Sequence, residues 1–458
     1  MDFSSSNHDL WNPIIQSGII ASFILFANIL RRKVKLIKTA LMPTAVLAGF
    51  VLLIMRTAGI LPVDTEFLEM VTYHCIALGF IAMALRIPVK EQGERAIVGG
   101  KSGALIVSTY LVQALAGLAV SLGLAYTLMP DFFKASGILL PMAYGQGPGQ
   151  ANNVGTTYQL NGMESGRNFG LSLAALGYLC ACVVGVIFIN YLDRRNKAKK
   201  VSDKKDVSGS VTVDTFQDSN EIPISQSVDR LSVQFALVAL VYMLTFFVTY
   251  GITELIGSAS ESAAASVSTI LWGFNFIIGS VLALGCRSII KLLTGKKIIN
   301  RQYQNNYLLS RISGLAFDIM IVAGIAGINI NDLKGYWLPF TLMAVFGGIV
   351  TYWYLRFMCK KLYPDYEFEG FVSMFGMLTG TISSGILLLR EIDPEMKTPA
   401  ANNLVLGSSY GIVFGAPVLL LISLALKDIW LTVVLILAYL ALLLLFILKI
   451  GNKKQTDK

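Results

Sequence analysis

Long apolar runs recur along the whole chain and constrain its fold more than any other feature. Each is close to the roughly 20 residues that a helix needs to cross the hydrocarbon core of a bilayer. Only 14% of the 458 residues are charged, against roughly 25% in soluble domains. The sequence therefore predicts an all-α integral membrane protein and excludes a soluble enzyme, a disordered chain and a disulfide scaffold. Eleven spans are predicted, at 13–30, 39–58, 68–85, 103–128, 168–191, 231–253, 266–285, 312–330, 337–358, 402–424 and 428–448.

Basic residues are distributed unequally between the loops, which predicts the orientation of the chain. Lysine and arginine are concentrated in the loops that follow the odd-numbered spans. Because cytoplasmic loops carry an excess of these residues, we expect the N-terminus outside and the C-terminus in the cytoplasm.

The polar segment 193–229 divides the chain into two halves. It is rich in Ser, Asp, Lys and Val without apolar periodicity, which predicts a flexible cytoplasmic linker. A regulatory or lipid-binding patch at Arg194–Lys205 is the alternative. The predicted organisation is a first transmembrane repeat at 1–192, the linker, a second repeat at 230–425, and an extra C-terminal helix with a basic tail at 426–458.

Both halves contain four spans, a glycine-rich broken segment and a fifth span. The broken segments, 136–156 and 368–389, enter from the outside and from the cytoplasm respectively in the predicted topology. Non-helical backbone survives inside a bilayer only where protein or a water-filled cavity covers it. The pattern predicts 10–11 transmembrane helices as two inverted five-helix repeats, each with a re-entrant hairpin, the layout of secondary transporters. The alternative is that both segments are extramembrane loops with turns.

Polar and glycine residues in the two broken segments are the candidate contacts for a small anionic solute. Free backbone amides at such breaks suit an anionic group, and hydroxyl and carbonyl oxygens suit a cation. Na⁺ is expected to bind through Asn153, Thr381 and Ser384. Alternatively, Asn152 and Asn153 cap the next helix, and the hydroxyls bond within their own helix. The candidate substrate contacts are Gly145, Gln146, Gly147, Gly149, Asn152, Thr379, Gly380, Thr381, Ser383 and Ser384.

Two ionisable residues, His74 and Asp318, lie in the third predicted span of each half. Charged or ionisable groups are costly inside a membrane, so both are candidates for ion coupling. The alternative is that they lie near the interface and extend towards water. The sequence contains no phosphate-binding loop of the G-x-x-x-x-G-K-[ST] type, no catalytic cluster and no nucleic-acid-binding module. We therefore expect neither an enzyme nor a cofactor.

The broken segments carry a family resemblance. Ala143-Tyr-Gly-Gln-Gly-Pro-Gly-Gln-Ala151, with the helix that follows it, resembles the first glycine-rich hairpin of bacterial sodium/glutamate symporters. Gly376-Met-Leu-Thr-Gly-Thr-Ile-Ser-Ser-Gly385 resembles the second. The chain is similar to a divergent member, since Gln146 stands where the family commonly has His. The resemblance implies a homodimer in the bacterial inner membrane that takes up glutamate or a related amino acid with Na⁺ as the coupling ion.

Two alternative functions remain open at this stage. One is a proton-coupled exchanger or exporter of organic anions that uses Asp318. The other is a polytopic membrane sensor whose output is the linker at 193–229.

Overall fold

The computed structural model describes residues 2–39, 41–87, 94–194, 224–259, 271–272, 275–298, 303–393 and 398–449. The predicted linker 193–229 lies outside the described residues except at its two ends, and so does the start of the predicted span 266–285.

The described residues form helices and short 3₁₀ turns, and no strand occurs among them. The first half contains α1 His8–Lys33, α2 Lys35–Thr39, α3 Thr44–Thr57, α4 Thr65–Leu85, α5 Glu94–Ala125, α6 Leu139–Tyr144, α7 Pro148–Leu160 and α8 Gly166–Arg194. The second half contains α9 Ile224–Ala259, α10 Asn275–Gly295, α11 Asn306–Ala326, α12 Trp337–Leu362, α13 Glu367–Leu378, α14 Ile382–Ile392, α15 Ala400–Lys427 and α16 Ile429–Lys449. The 3₁₀ turns are Lys134–Ile138, Ile330–Leu333 and Pro364–Tyr366.

Ten of the described helices are long and apolar enough to cross a bilayer. The prediction of an all-α, multi-pass membrane protein is confirmed at this level. One predicted span is shorter than expected, because the segment 39–58 forms α3, a helix of only 14 residues. At 1.5 Å per residue it is about 21 Å long, against a hydrocarbon core of about 30 Å. It begins late because Pro43 lacks an N–H group and Leu41 has a left-handed backbone, with φ of 52°.

The described chain forms two compact units. Unit 1 comprises Met1–Arg32, Ala48–Lys90 and Asp203–Gly327, and unit 2 comprises Lys33–Leu47, Glu91–Ser202 and Ile328–Lys458. Each unit therefore draws helices from both halves of the sequence.

In unit 1, α4 packs against α9, α10 and α11. Ile81, Leu85, Val238 and Leu309 form part of the apolar core between these helices. Arg287 donates from Nη1 to the carbonyl oxygens of Ala84 and Arg86, at 3.2 and 3.0 Å. A cation that bonds the last carbonyls of a helix stabilises its negative end, so this arginine holds α4 to α10.

Unit 2 contains the same series of elements from each half of the sequence. The first series is α5, the short pair α6 and α7, then α8. The second is α12, the short pair α13 and α14, then α15, and α16 packs beside α5. We call α6 with α7 the first helix pair, and α13 with α14 the second helix pair.

The ends of α8 and α12 in unit 2 are connected by a small polar network. Asp332, in the turn before α12, accepts from Asn168 Nδ2 at 2.6 Å and from Asn329 Nδ2 at 2.8 Å. Asn168 Oδ1 in turn accepts from the backbone N–H of Asn329 at 3.1 Å. One carboxylate thus satisfies two amides and fixes the turn against the start of α8.

Replacing Asp332 with alanine is expected to destabilise the protein, because it leaves the amides of Asn168 and Asn329 without their acceptor. Losing one partner of a half-buried hydrogen bond costs about 1–3 kcal/mol. Thermal unfolding of the purified protein in detergent should show a lower midpoint for Asp332→Ala than for Asp131→Ala, a matched change at an exposed aspartate. Equal midpoints would show that the network does not contribute to stability.

Candidate functional site

The first helix pair is interrupted at Gly145–Gly147, which we call the first tip. Gly147 has φ of 82°, a left-handed conformation that favours glycine. Pro148 follows at the first position of α7, where its missing N–H would have no partner within the helix. No side chain caps the start of α7, so the amides of its first turn remain available to an anionic group.

The second helix pair is interrupted at Thr379–Thr381, the second tip. Thr379 is fully buried and donates from its hydroxyl to the carbonyl of Phe375 at 2.7 Å. For Thr379 the alternative interpretation therefore applies, in which the hydroxyl bonds within its own helix. Thr381 occupies the cap position of α14 without a side-chain capping bond, so α14 presents first-turn amides in the same way as α7.

The two tips are in contact within unit 2. A Cβ atom built on Gly147 would lie 3.6 Å from the carbonyl oxygen of Gly380 and 3.6 Å from Thr381 Cγ2. Both tips are buried, apart from the half-buried Gln146 and Thr381. Segments that are far apart in the sequence therefore form one buried junction.

Helix α8 packs closely against both tips through Gly177 and Tyr178. A Cβ atom on Gly177 would lie 2.6 Å from the carbonyl oxygen of Thr379 and 3.0 Å from Tyr144 Cδ1, so only glycine fits between the two helix pairs here. The fully buried Tyr178 lies beside Gly147 and Gly380. The sequence does not mark Tyr178 as a site residue, because an aromatic residue in a predicted span carries no distinguishing signal.

Gln113, in the middle of α5, connects the two helix pairs. Its Nε2 donates to the carbonyl oxygen of Leu378 at 2.8 Å and to Thr351 Oγ1 at 2.9 Å. Its Oε1 lies 2.9 Å from the position of a Cβ atom on Gly145. Gln113 was not selected from the sequence, although an amide in the middle of a predicted span is costly, and this signal was available.

Several buried polar atoms of α5 and of the two helix pairs have no hydrogen-bond partner among the described residues. They are Gln113 Oε1, Gln150 Oε1, Asn153 Nδ2, Thr381 Oγ1 and Ser384 Oγ. Buried polar groups in native proteins are almost always paired, so an unpaired set calls for an explanation such as a functional role. Three of these atoms belong to residues that the sequence had marked. Thr381 and Ser384 were predicted to contact both the substrate and Na⁺, and Asn153 was predicted to bind Na⁺.

The other candidate contacts lie at or near the tips. Gly145, Gly147 and Gly380 form the junction, and Gly149 lies in the first turn of α7. Gln146 approaches Met142 Sδ at 3.6 Å. The side chain of Ser383 lies outside the described residues.

Asn152 and Asn153 do not cap a helix, so that alternative is wrong. The cap position of α7 is held by Gly147, and both asparagines lie farther along the helix. The Oδ1 atom of Asn152 instead accepts from Nε of Arg167, on α8, at 2.8 Å.

His74 and Asp318 lie in unit 1, on α4 and α11, whereas both tips belong to unit 2. The ring Nδ1 of His74 lies 2.6 Å from the hydroxyl of Tyr242. The side chain of Asp318 is exposed. Neither residue is part of the junction, and their role in coupling remains a prediction.

The described residues contain no group of three or more His, Cys, Asp or Glu side chains that could hold a metal ion. The unpartnered oxygens at the tips belong to the amide of Gln113 and the hydroxyls of Thr381 and Ser384. Oxygen groups of this kind suit a hard cation better than a transition metal.

No model of a known protein family matches the chain, and a search of curated proteins found no match.

Replacing Gln113 with leucine is expected to loosen the junction, because the carbonyl of Leu378 and the hydroxyl of Thr351 both lose their donor. A buried group left without its partner costs about 1–3 kcal/mol. Thr351→Val removes only one of the two contacts and should lower the thermal midpoint less. In the double variant the two effects should be less than additive, since the residues share a bond. Full additivity would contradict a bridging role for Gln113.

Proposed function

We propose that this protein is a secondary active transporter that couples Na⁺ entry to the uptake of a small carboxylate-bearing solute, such as glutamate or a related amino acid. The observation that carries the proposal is the buried junction of two broken helix pairs, where the side-chain oxygens of Gln113, Thr381 and Ser384 have no hydrogen-bond partner among the described residues. Interrupted helices that meet inside a bundle are the usual construction of substrate and ion sites in secondary transporters.

The chemistry of the junction suits a carboxylate and a cation together. The uncapped N-termini of α7 and α14 supply N–H groups and partial positive charge for the carboxylate. Hydroxyl oxygens of Thr381 and Ser384, together with carbonyls at the ends of α6 and α13, supply oxygen ligands for Na⁺. Since no acidic side chain is required, the carboxylate and Na⁺ compensate each other's charge when both are bound.

The repeated series of elements in unit 2 supports an inverted repeat as the underlying plan. In our proposal the two helix pairs are re-entrant hairpins that enter the bilayer from opposite faces and meet near its midplane. Burial of both tips supports this arrangement over extramembrane loops, whose backbone would be exposed to water. We further propose a homodimer in the bacterial inner membrane, with the N-terminus outside and the C-terminus in the cytoplasm.

The proposed mechanism is alternating access. Na⁺ binding at the second tip favours the state that accepts the carboxylate, because a ligand shifts a conformational equilibrium only through its different affinity for the two states. By linkage the solute raises the affinity for Na⁺ by the same factor. The loaded junction then opens to the other side of the membrane.

Proteoliposomes that contain the purified protein are expected to accumulate radiolabelled L-glutamate under an inward Na⁺ gradient and not under an equal K⁺ gradient. Thr381→Val and Ser384→Ala should each raise the Na⁺ concentration for half-maximal uptake about tenfold, since each removes an oxygen ligand. The matched control is Ser288→Ala on α10, where the hydroxyl donates to the carbonyl of Leu284 in its own helix. Uptake that is indifferent to Na⁺ would reject the proposal.

The same vesicles separate the alternative functions. Uptake or exchange driven by a pH gradient, and abolished by Asp318→Asn, would indicate the proton-coupled exchanger. A membrane sensor would catalyse no uptake and would require the linker at 193–229 for its output.

A further inference from the structure

We infer that Asn153 is a side-chain hydrogen-bond donor to the solute, because Arg167 orders the side-chain amides of Asn152 and Asn153. In this arrangement Asn153 presents Nδ2 to the carboxylate of the solute. It does not present an oxygen to Na⁺, as the sequence had suggested. The inference rests on the proposed function and assigns Arg167 as a positioning residue.

Arg167 fixes the orientation of the side-chain amide of Asn152. Arg167 lies in the first turn of α8 and is 5% exposed, and its Nε donates to Asn152 Oδ1 at 2.8 Å. A guanidinium group has donors and no acceptor. The side of Asn152 that faces Arg167 must therefore be the oxygen, and its Nδ2 must face away.

Asn152 in turn fixes the orientation of the side-chain amide of Asn153. Nδ2 of Asn152 lies 3.4 Å from Oδ1 of Asn153 and is its donor. The oxygen of Asn153 is thereby directed at Asn152. Its Nδ2 is left buried, on a side chain 3% exposed, with no hydrogen-bond partner among the described residues.

Exchanging the oxygen and nitrogen positions of the side-chain amide is unfavourable for either asparagine. Turning Asn153 over would place two NH₂ groups against each other, and turning Asn152 over would place an NH₂ group against the guanidinium. The assignment of oxygen and nitrogen thus follows from the chemistry of the partners, which is the proper basis for orienting an amide.

Arg167 is held to α7 at a second point. Its backbone N–H donates to Oε1 of Gln159, in the last turn of α7, at 3.2 Å. Because α7 and the start of α8 are connected in this way, the side-chain amides of Asn152 and Asn153 keep their orientation if the two helices move as one body.

The orientation of Asn153 distinguishes its side chain from those of the second tip. The Nδ2 group of Asn153 adds an N–H donor, which a carboxylate accepts well. The hydroxyl groups of Thr381 and Ser384 offer oxygen ligands, which a hard cation requires. The substrate class that fits is an anion with a planar carboxylate, with Na⁺ bound at Thr381 and Ser384.

Asn153→Asp tests the inference, because it exchanges the donor for an oxygen with little change in shape. We expect the KM for L-glutamate in proteoliposomes to rise at least tenfold. In the absence of glutamate, the increase in the thermal unfolding midpoint that NaCl produces relative to KCl should stay within twofold of the wild-type value. The matched control is Asn161→Asp, at the end of the same helix, where Nδ2 donates to the carbonyl of Thr157; its KM should stay within twofold. Asn153→Ala introduces no charge and should also raise KM with the Na⁺ shift retained, so a folding defect in one variant does not decide the test.

Arg167→Lys tests the positioning role separately. Lysine keeps the charge but lacks the Nε donor, so we expect KM for glutamate to rise about fivefold with the maximal rate and the Na⁺ dependence little changed. An unchanged KM would show that Arg167 has only a structural role and would overturn its assignment.

Two outcomes distinguish the failure of the inference from that of the proposed function. If Asn153→Asp retains its KM for glutamate and binds Na⁺ more tightly, Asn153 is an oxygen ligand of the cation, and the inference falls while the transporter assignment stands. If the wild-type protein shows no Na⁺-dependent glutamate uptake, the proposed function is rejected and the inference falls with it.

Discussion

A backbone that leaves the helical conformation inside a bilayer exposes N–H and C=O groups to a medium that cannot bond them, at several kcal/mol for each group. In our proposal this constraint governs the part of the molecule that contains the two tips. A buried break in a helix must be covered by protein, and here each break is covered by the other. The contact of Gly147 with Gly380 and Thr381 satisfies this requirement and brings polar groups together at one place.

The surrounding helices are adapted to this junction. Gly177 on α8 leaves room for both helix pairs, and Gln113 on α5 bonds one pair while its oxygen abuts the other. Close packing by small residues and bonding by a few buried amides are the forces available between helices in a membrane, where burial of apolar surface from water contributes little. Several hydroxyl and amide atoms have no partner among the described residues, and in our proposal the solute and the ion supply those partners.

Much of this fold follows from local sequence, whereas the site depends on long-range pairing. The apolar runs predict the helices, since length and hydropathy are local properties, and the density of glycine in 136–156 and 368–389 marks the two segments in which the breaks occur. The short helix Thr44–Thr57 was predicted as a full span, because hydropathy alone does not register the effect of Pro43 on helix length. Asn152 was a candidate cap by residue type, but its partner is Arg167, and Gln113 bonds a carbonyl 265 residues away. Such pairs are set by how helices pack and have no signature in a single sequence.

The most direct measurement of the central claim is paired-cysteine cross-linking of the two tips in native membranes. In a variant without the five native cysteines, the account predicts that Gly147→Cys and Thr381→Cys together form a disulfide on mild oxidation. A Cβ atom on Gly147 would lie 3.6 Å from Thr381 Cγ2, and the Cβ atoms of a disulfide lie about 3.5–4.5 Å apart. Each single-cysteine variant should also resist labelling by a membrane-impermeant maleimide. The maleimide is applied from the membrane face opposite to the one from which the helix pair of that cysteine enters. Absence of the cross-link, with both cysteines labelled freely from the aqueous phase, would contradict the account.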